Sequence, residues 1–329
     1  MNKLTIFLIT LFILGCQTQQ SNIITYTDVH KGTDGLVMKF LPNAPPEEVY
    51  SKGIFVAAVE LDNKGAFNIV GGHLALVIEE DYMEIPDSAW DGASLTGGTG
   101  ESKTFSLEGK STLNPKGRKD TITAKIKAKE IDTQSESHTS TVMISACYKY
   151  KTDLSTEVCV DTDPYSLTQK TKACEIGEER FSGQGAPVAI TKVETKMLPH
   201  EEAGINKVRP AFMVYIENKG NGEVVKNNKV GEACSSVKLE HEAFNTIYVR
   251  AFLSGKELNC SPKERLEGGG VSPEGYVRLK GKEDFVRCSL EEGIGKEMGT
   301  YTAPLTVELD YGYTFSISKD VEILKELEY

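Results

Sequence analysis

The sequence predicts an all-β protein built from two related domains. Short segments that alternate apolar and polar side chains recur along the chain, separated by clusters of glycine, proline and asparagine, as in sheets with one buried face. No long stretch carries apolar residues at helical spacing, and two pairs of segments repeat at nearly constant separation. Because 329 residues suffice for two full hydrophobic cores, we expect two tandem β-sandwiches.

The N-terminal segment predicts export and a lipid anchor. Residues 4–14 are apolar, follow a lysine, and are too few to span a bilayer, as expected for a secretory signal. The sequence Ile-Leu-Gly-Cys that ends at Cys16 resembles a lipobox, in which the cysteine is acylated after cleavage. We therefore expect a signal peptide over residues 1–15 and a tether over residues 16–22, held at a membrane by the lipid on Cys16. A cleaved signal with an incidental cysteine is the alternative.

The charge of the mature chain limits its partners. Removal of the signal peptide leaves 36 basic and 48 acidic residues, a net charge of −12, with both signs mixed along the chain. Nucleic acid and anionic lipid headgroups bind through basic patches, so the composition argues against both. The charge favours solubility instead.

The cysteine count is consistent with export. Six cysteines remain when Cys16 is set aside: Cys147, Cys159, Cys174, Cys234, Cys260 and Cys288. An even number in an exported chain predicts three disulfides. None of the spacings is Cys-x-x-Cys and no histidine lies at zinc-finger spacing, so we expect neither a metal site nor a cofactor.

Two pairs of segments predict an internal repeat. Phe55–Gly65 and Phe212–Gly220 each resemble a half-buried strand that runs into Asn-Lys-Gly, where asparagine and glycine supply the turn. At an offset of 163 residues, Val142–Val160 matches Leu305–Ile323, and we interpret both as hairpins that end a domain. The chain is therefore a tandem duplication.

The repeat sets the expected domain boundaries. The first β-sandwich would cover residues 23–163 and the second residues 187–329. Between them, residues 164–186 are polar and contain glycine, so we interpret them as a linker. Cys174 lies in this linker and would tie it to the second domain.

The same frame suggests how the cysteines pair. In the first hairpin Cys147 and Cys159 would face each other on the outward side, where cross-strand neighbours are close enough to bond. The rival is that one of them pairs with Cys174. Strand-like surroundings suggest the pair Cys260–Cys288. Elimination then leaves the pair Cys174–Cys234.

The strand entering Asn-Lys-Gly, the terminal hairpin and the lipobox together resemble a known family. They are similar to the immunoglobulin-like, cell-adhesion-related domains of prokaryotic surface proteins, particularly archaeal envelope proteins. The resemblance implies modular binding or spacer units, another surface protein or a glycan as partner, and no catalytic residues. Because no cysteine lies in Phe212–Asn218, the inter-sheet disulfide of antibody domains is absent.

Motifs of catalysis are missing from the sequence. Five histidines are scattered, and the His-Glu pairs at His200 and His241 lack the second histidine of a zinc-protease motif. Gly109-Lys-Ser111 lacks the earlier glycine of a phosphate-binding loop, and no Gly-x-Ser-x-Gly elbow occurs. A secreted hydrolase is therefore the least favoured hypothesis.

Two loop features are candidates for binding. The acidic stretch Glu79–Asp91 offers oxygen ligands to calcium, although it lacks a recognisable ligand spacing and a solvated loop is the simpler interpretation. Trp90, the only tryptophan, is a candidate for a contact loop, since tryptophan is enriched at recognition sites. The alternative is that Trp90 folds back and caps the sandwich.

These observations define the functional hypothesis. We expect a non-catalytic, lipid-anchored protein of the cell envelope that acts in adhesion, partner binding or envelope assembly. The alternative is a structural subunit of the envelope or of a filament, assembled through exposed edge strands.

Overall fold

The computed structural model describes residues 25–98, 100–167, 171–235, 237–263 and 275–326. The predicted signal peptide, the tether and Cys16 lie outside the described residues. No helix in the described ranges is long and apolar enough to cross a membrane.

The chain consists mainly of strands. The first half contains α1 (Tyr26–Val29), β1 (Leu36–Phe40), β2 (Glu48–Tyr50), β3 (Ile54–Asn63), β4 (Ile69–Val77), β5 (Met83–Glu84), β6 (Trp90–Asp91), β7 (Leu95–Gly97), β8 (Ser102–Leu107), β9 (Lys119–Ala128) and β10 (Ser137–Asp161). The second half contains β11 (Glu178–Arg180), β12 (Val188–Glu202), β13 (Ile205–Asn218), β14 (Glu223–Val225), α2 (Val230–Ala233), β15 (Thr246–Leu253), β16 (Lys256–Glu257), β17 (Asn259–Ser261), β18 (Tyr276–Arg278), β19 (Glu283–Ser289), β20 (Ile294–Gly295) and β21 (Thr300–Leu324). Single 3-10 turns cover Asn227–Lys229, His241–Ala243 and Lys296–Met298.

Each repeat copy forms a β-sandwich, so the predicted all-β class is confirmed. The outer sheets, β1-β3-β9-β5 and β12-β13-β19-β17, follow the A-B-E-D order of an immunoglobulin-like sandwich. The pairs β4–β10 and β15–β21 occupy the places of strands C and F. Alternate side chains of facing sheets, such as Val59 and Ile126 against Leu74 and Ile144, are buried in one core.

The two copies are joined through their equivalent long strands. β10 and β21 pair antiparallel over 25 residues each, from Ser137 opposite Leu324 to Asp161 opposite Thr300. This pairing produces a ten-stranded sheet that contains strands of both copies. The first sandwich therefore has β21 of the other copy beside its own β10, and the second sandwich has β10 beside its own β21. The copies associate as an internal pseudo-dimer.

The segments predicted as hairpins are single strands. Beyond Tyr150 the chain does not turn, because Thr152 and Leu154 stay paired with Leu309 and Val307. Hairpin and continuous strand share the same two-residue alternation, so the pattern alone does not distinguish them. The continuous strand forms because β10 and β21 are equally long and pair with each other along their full lengths.

The continuous strand changes two of the expected disulfides. Cys147 and Cys159 lie twelve residues apart on β10, about 40 Å at the usual rise per residue, so the predicted pair Cys147–Cys159 is wrong. Cys147 is bonded to Cys234, just after α2, and Cys159 is bonded to Cys174. The predicted pair Cys174–Cys234 is therefore wrong as well, and the rival pairing of Cys159 with Cys174 is found.

The remaining disulfide lies within the second copy. Cys260 of β17 and Cys288 of β19 stand directly opposite each other and are bonded, which is the pair assigned from the sequence. This disulfide links the edge strand β17 to its neighbour β19 in the second outer sheet.

The described parts of the predicted linker, residues 164–167 and 171–186, are attached to the rest of the protein. Cys174 joins them to the first copy through Cys159, not to the second domain as expected, and β11 pairs with β12. The buried Gln184 side chain accepts from the Ile190 N–H at 2.9 Å and donates to the Ile190 carbonyl at 3.0 Å. Strands of both repeat copies share one sheet, and the boundaries 23–163 and 187–329 stay a prediction.

Candidate functional site

In both copies the Asn-Lys-Gly turn contacts a buried tyrosine of the long strand. The Tyr150 hydroxyl donates to Asn63 Oδ1 at 3.2 Å, and the Tyr313 hydroxyl donates to Asn218 Oδ1 at 3.1 Å. Burial raises the pKa of both phenols above their usual value, so both remain neutral donors. The tyrosines that recur in the repeat are therefore structural.

The glycine of each turn makes room for the tyrosine. A Cβ atom on Gly65 would lie 1.9 Å from the Tyr150 hydroxyl, and one on Gly220 would lie 2.1 Å from the Tyr313 hydroxyl. These contacts explain why glycine follows Asn-Lys in both copies: no larger residue allows the hydroxyl to approach the backbone.

Trp90 occupies the capping position rather than a free loop. Its side chain is half-buried against the core, and its indole Nε1–H donates to the Gly100 carbonyl at 2.9 Å. Since both the ring and its donor are engaged inside the protein, the structure favours the capping alternative over the contact loop.

The acidic stretch Glu79–Asp91 does not converge on one point. Ser140 donates to Glu79 at 2.7 Å, and the His138 ring nitrogen lies 3.1 Å from the same carboxylate oxygen. These two hydrogen bonds lower the pKa of Glu79. Glu84 is paired with Lys127. Among the described residues no three His, Cys, Asp or Glu side chains form a group that could hold a metal ion.

Glu79, His138 and Ser140 do not form a nucleophilic site. Ser140 and His138 both contact the Glu79 carboxylate, so the imidazole of His138 does not activate the Ser140 hydroxyl. The imidazole stacks on Tyr82 with ring centroids 3.5 Å apart.

A groove lies beside the long hairpin of β12 and β13, and it is the candidate functional site. The hairpin turns at Ala203–Gly204, both with positive φ as in a type I′ turn, and Ile205 at its tip is exposed. The groove has a volume of about 460 Å³. The residues that line it include Tyr165, Leu167, Pro199, His200, Val208 and Lys296.

Two hydrophobic side chains on the loop that borders this groove are largely exposed to solvent. Tyr165 is 73% exposed and Leu167 is 81% exposed. The loop follows β10 directly, and the Cys159–Cys174 disulfide closes it. The hydrophobic side chains are therefore displayed on a cross-linked segment.

The buried carboxylate of Asp161 anchors the start of this loop. It is paired with Lys172 and accepts from the Asp163 N–H at 2.8 Å and the Thr300 hydroxyl at 3.0 Å. Burial alone would raise the pKa of Asp161, but the Lys172 ammonium and these hydrogen bonds outweigh it and lower the pKa below its usual value.

The edge strand β11 and the part of β12 that β11 does not cover are protected against strand addition. β11 presents only exposed charged residues, and the part of β12 beyond Thr195 contains Pro199, which has no N–H to offer. Side-chain contacts are therefore the better route to a partner here than sheet extension.

Comparisons with known proteins find structures of similar size and low similarity. No family model and no curated protein sequence matches the chain. A structure titled BspA_C_WT is 10% identical with a TM-score of 0.21, covering 88% of this chain and 97% of that one. The partial N-terminal region of an enterococcal surface protein is 10% identical with a TM-score of 0.16, covering 86% and 89%. The collagen adhesin from S. aureus is 8% identical with a TM-score of 0.15, covering 91% and 93%.

Similarity at this level carries no functional argument, so class and function rest on the chain's own residues. The class is an all-β, disulfide-bonded double sandwich joined through one sheet. Tyr165 and Leu167 are not among the candidates predicted from the sequence, because both lie in the predicted linker. The signal present there was an aromatic and a leucine just after Pro164 in an otherwise polar stretch.

Proposed function

We propose that this is a non-catalytic protein of the cell envelope, anchored through lipid on Cys16, whose double sandwich binds another surface component in adhesion. The observation that carries the proposal is the display of Tyr165 and Leu167, largely exposed on a loop fixed by the Cys159–Cys174 disulfide. The cross-link limits the conformations open to the chain around Tyr165 and Leu167 before binding, so less conformational entropy is lost and the exposed apolar area contributes more to affinity.

The disulfide framework supports the extracytoplasmic location. Three disulfides, one of which connects the two repeat copies, form and persist in oxidising compartments. The N-terminal signal supports the same location, and the lipobox supports the anchor. Mass spectrometry of the mature protein tests both: a diacylated Cys16 with no free thiols is expected, and an unprocessed Met1 with six free thiols contradicts the location.

The binding role is tested by substitutions in the loop that carries Tyr165 and Leu167. We expect a soluble Cys16→Ser form, added to intact cells of its source, to be retained on them, and we expect the double variant Tyr165→Ser/Leu167→Ser in this lipid-free form to lose most of the retention. The matched control is Tyr50→Ser/Leu113→Ser, which removes the same two side chains from exposed positions elsewhere. Equal retention of wild type and both variants would contradict a role for the groove.

A further inference from the structure

An open pocket lies on the outward face of the first copy, where the chain passes from β3 to β4. Its volume is about 510 Å³, and its walls include Phe67, Lys110, Ser111, Lys149, Lys151 and Asp310. On β10 the two lysines alternate with the buried Tyr148 and Tyr150, so they point away from the core. The pocket is remote from the groove that Tyr165 borders, with which it shares no lining residue.

The equivalent place in the second copy is closed. The repeat relates Lys149 to Gly312 and Lys151 to Thr314. A Cβ atom on Gly312 would lie 2.5 Å from Val230 Cγ2 and 2.7 Å from Val225 Cγ2, because β14 and α2 cover this position. The duplication has kept the buried tyrosines and changed the outward residues, so the lysines are not required by the shared framework.

Of the three lysine ammonium groups that line the open pocket, two have no ion-pair partner among the described residues. Within the described ranges neither Lys110 nor Lys149 forms an ion pair, whereas Lys151 is paired with Asp153 at 3.1 Å. Ser111 Oγ accepts from the Asn114 N–H at 2.9 Å, which leaves its own proton free to donate. Donors therefore dominate the walls, although the chain as a whole carries a net charge of −11.

An aromatic ring completes the pocket. Phe67 is held edge-on against Tyr150, with centroids 5.8 Å apart, and against His30, with centroids 5.5 Å apart. The Lys151 ammonium lies 4.7 Å from the centroid of the Phe67 ring. The Lys151 ammonium therefore lies over one face of the half-buried Phe67 ring, which brings apolar surface and positive charge together in the pocket.

The acidic surroundings restrict the size of an anionic ligand. Asp310 forms one wall, and Glu308 next to it on β21 is paired with Arg250 at 2.6 Å. An extended polyanion would meet both carboxylates, whereas a single acidic group bound at the lysines would meet only Asp310. The site therefore suits one charged group attached to a compact apolar ring face.

We propose that this pocket binds an acidic carbohydrate, a sugar that carries a carboxylate or a sulfate. Lys110, Lys149 and Lys151 donate charge-assisted hydrogen bonds to the acidic group, and Phe67 contacts the ring of the sugar. The inference deepens the proposed function by naming a class of surface partner. It does not depend on the lipid, so a secreted Cys16→Ser form is sufficient for the test.

Isothermal titration with defined probes tests this pocket. Monomeric galacturonate supplies the carboxylate, glucose 6-sulfate supplies the sulfate, and neutral dextran and tripolyphosphate are the controls. We expect binding to at least one acidic saccharide, weakened by salt, and no binding to neutral dextran. Lys149→Glu/Lys151→Glu should weaken this binding at least tenfold, while Lys125→Glu/Lys238→Glu, the same charge change at exposed positions outside the pocket, should stay within twofold.

Phe67→Ala separates a sugar site from a simple anion site. It should weaken saccharide binding at least fivefold and leave any tripolyphosphate binding unchanged, with the thermal midpoint as a folding control. Lys149→Gln/Lys151→Gln replaces the glutamate variant if that variant unfolds. The proposal is overturned if no acidic saccharide binds, if both lysine pairs have equal effects, or if Phe67→Ala leaves saccharide affinity unchanged. Cell retention that still depends on Tyr165 and Leu167 would then show that the proposed function survives without this pocket.

Discussion

Lys149 of β10 and Gly312 of β21 lie directly opposite each other, and the repeat makes them equivalent positions. A local two-fold axis therefore passes between them, and it relates the Tyr148–Tyr313 pair to the Tyr311–Tyr150 pair. The axis exchanges the two sandwiches, so the tandem duplication folds as a dimer within one chain.

The shared sheet predicts that the copies do not fold independently. Residues 23–163 alone would leave one side of the 25-residue strand β10 unpaired, which is a template for self-association. We expect this fragment to form dimers or aggregates, as measured by light scattering, and we expect co-secretion with residues 187–329 to yield a soluble one-to-one complex. A stable monomeric fragment would contradict the pseudo-dimer.

The contact between Gly65 and Tyr150 predicts a specific loss of stability. Gly65→Ala forces the tyrosine away from Asn63, and overpacking together with a lost hydrogen bond should cost about 2–4 kcal/mol in urea unfolding. Tyr150→Phe removes the hydroxyl that clashes, so it should rescue part of the loss in the double variant. Gly177→Ala has open space around the new methyl group and serves as the control. Equal stability of Gly65→Ala and wild type would disprove the tight contact.

The disulfides should differ in their contributions to stability. Cys147–Cys234 spans 87 residues and Cys159–Cys174 spans 15. Loop-closure entropy assigns about 4.6 kcal/mol to the longer and about 3 kcal/mol to the shorter. Serine replacement of each pair, followed by chemical denaturation, should therefore show the larger loss for Cys147–Cys234. The reverse order would show that strain or residual structure, rather than loop length, governs this framework.

Asp161 should make stability depend on pH. Its pKa is lowered in the folded state, so its contribution is present above the unfolded pKa, about 4, and is lost as the pH falls through the lower folded value. Asp161→Asn should cost about 1.5–3 kcal/mol at pH 7, with a smaller difference from wild type at pH 3. Urea titrations at both pH values measure this difference, and the exposed Asp91→Asn is the control. A difference that is the same at both pH values would contradict the linkage.

Trp90 provides a spectroscopic test of its capping position. As the only tryptophan it should give a blue-shifted emission that moves to the red on unfolding. Trp90→Ala should lower stability by about 3 kcal/mol, because a packed ring is lost, and should leave retention on cells unchanged. A red emission maximum in the folded state, or loss of retention in a fully folded variant, would restore the contact-loop hypothesis.

The sequence predicted the elements whose patterns are local. The alternation in Phe55–Leu61 and Phe212–Ile216 is visible without a structure, and so is its recurrence beside Asn-Lys-Gly. The Cys260–Cys288 pair could also be assigned, since each cysteine lies in its own strand-like run. The binding features were harder to find: Tyr165 lies in a polar stretch, and Lys110 joins Lys149 only because the β8–β9 loop folds back beside β10.

The sequence by itself determined that this protein is all β, internally repeated and rich enough in cysteine for three disulfides, whereas export by an N-terminal signal stays a prediction. Only the tertiary structure decided that β10 and β21 run straight and pair with each other, that Cys147 reaches Cys234, and that one copy leaves open a pocket the other copy fills. The physical reason is that alternation reports which face of a strand is buried but not which strand lies beside it. The partner strand, with all the contacts that depend on it, is fixed by association between the two copies.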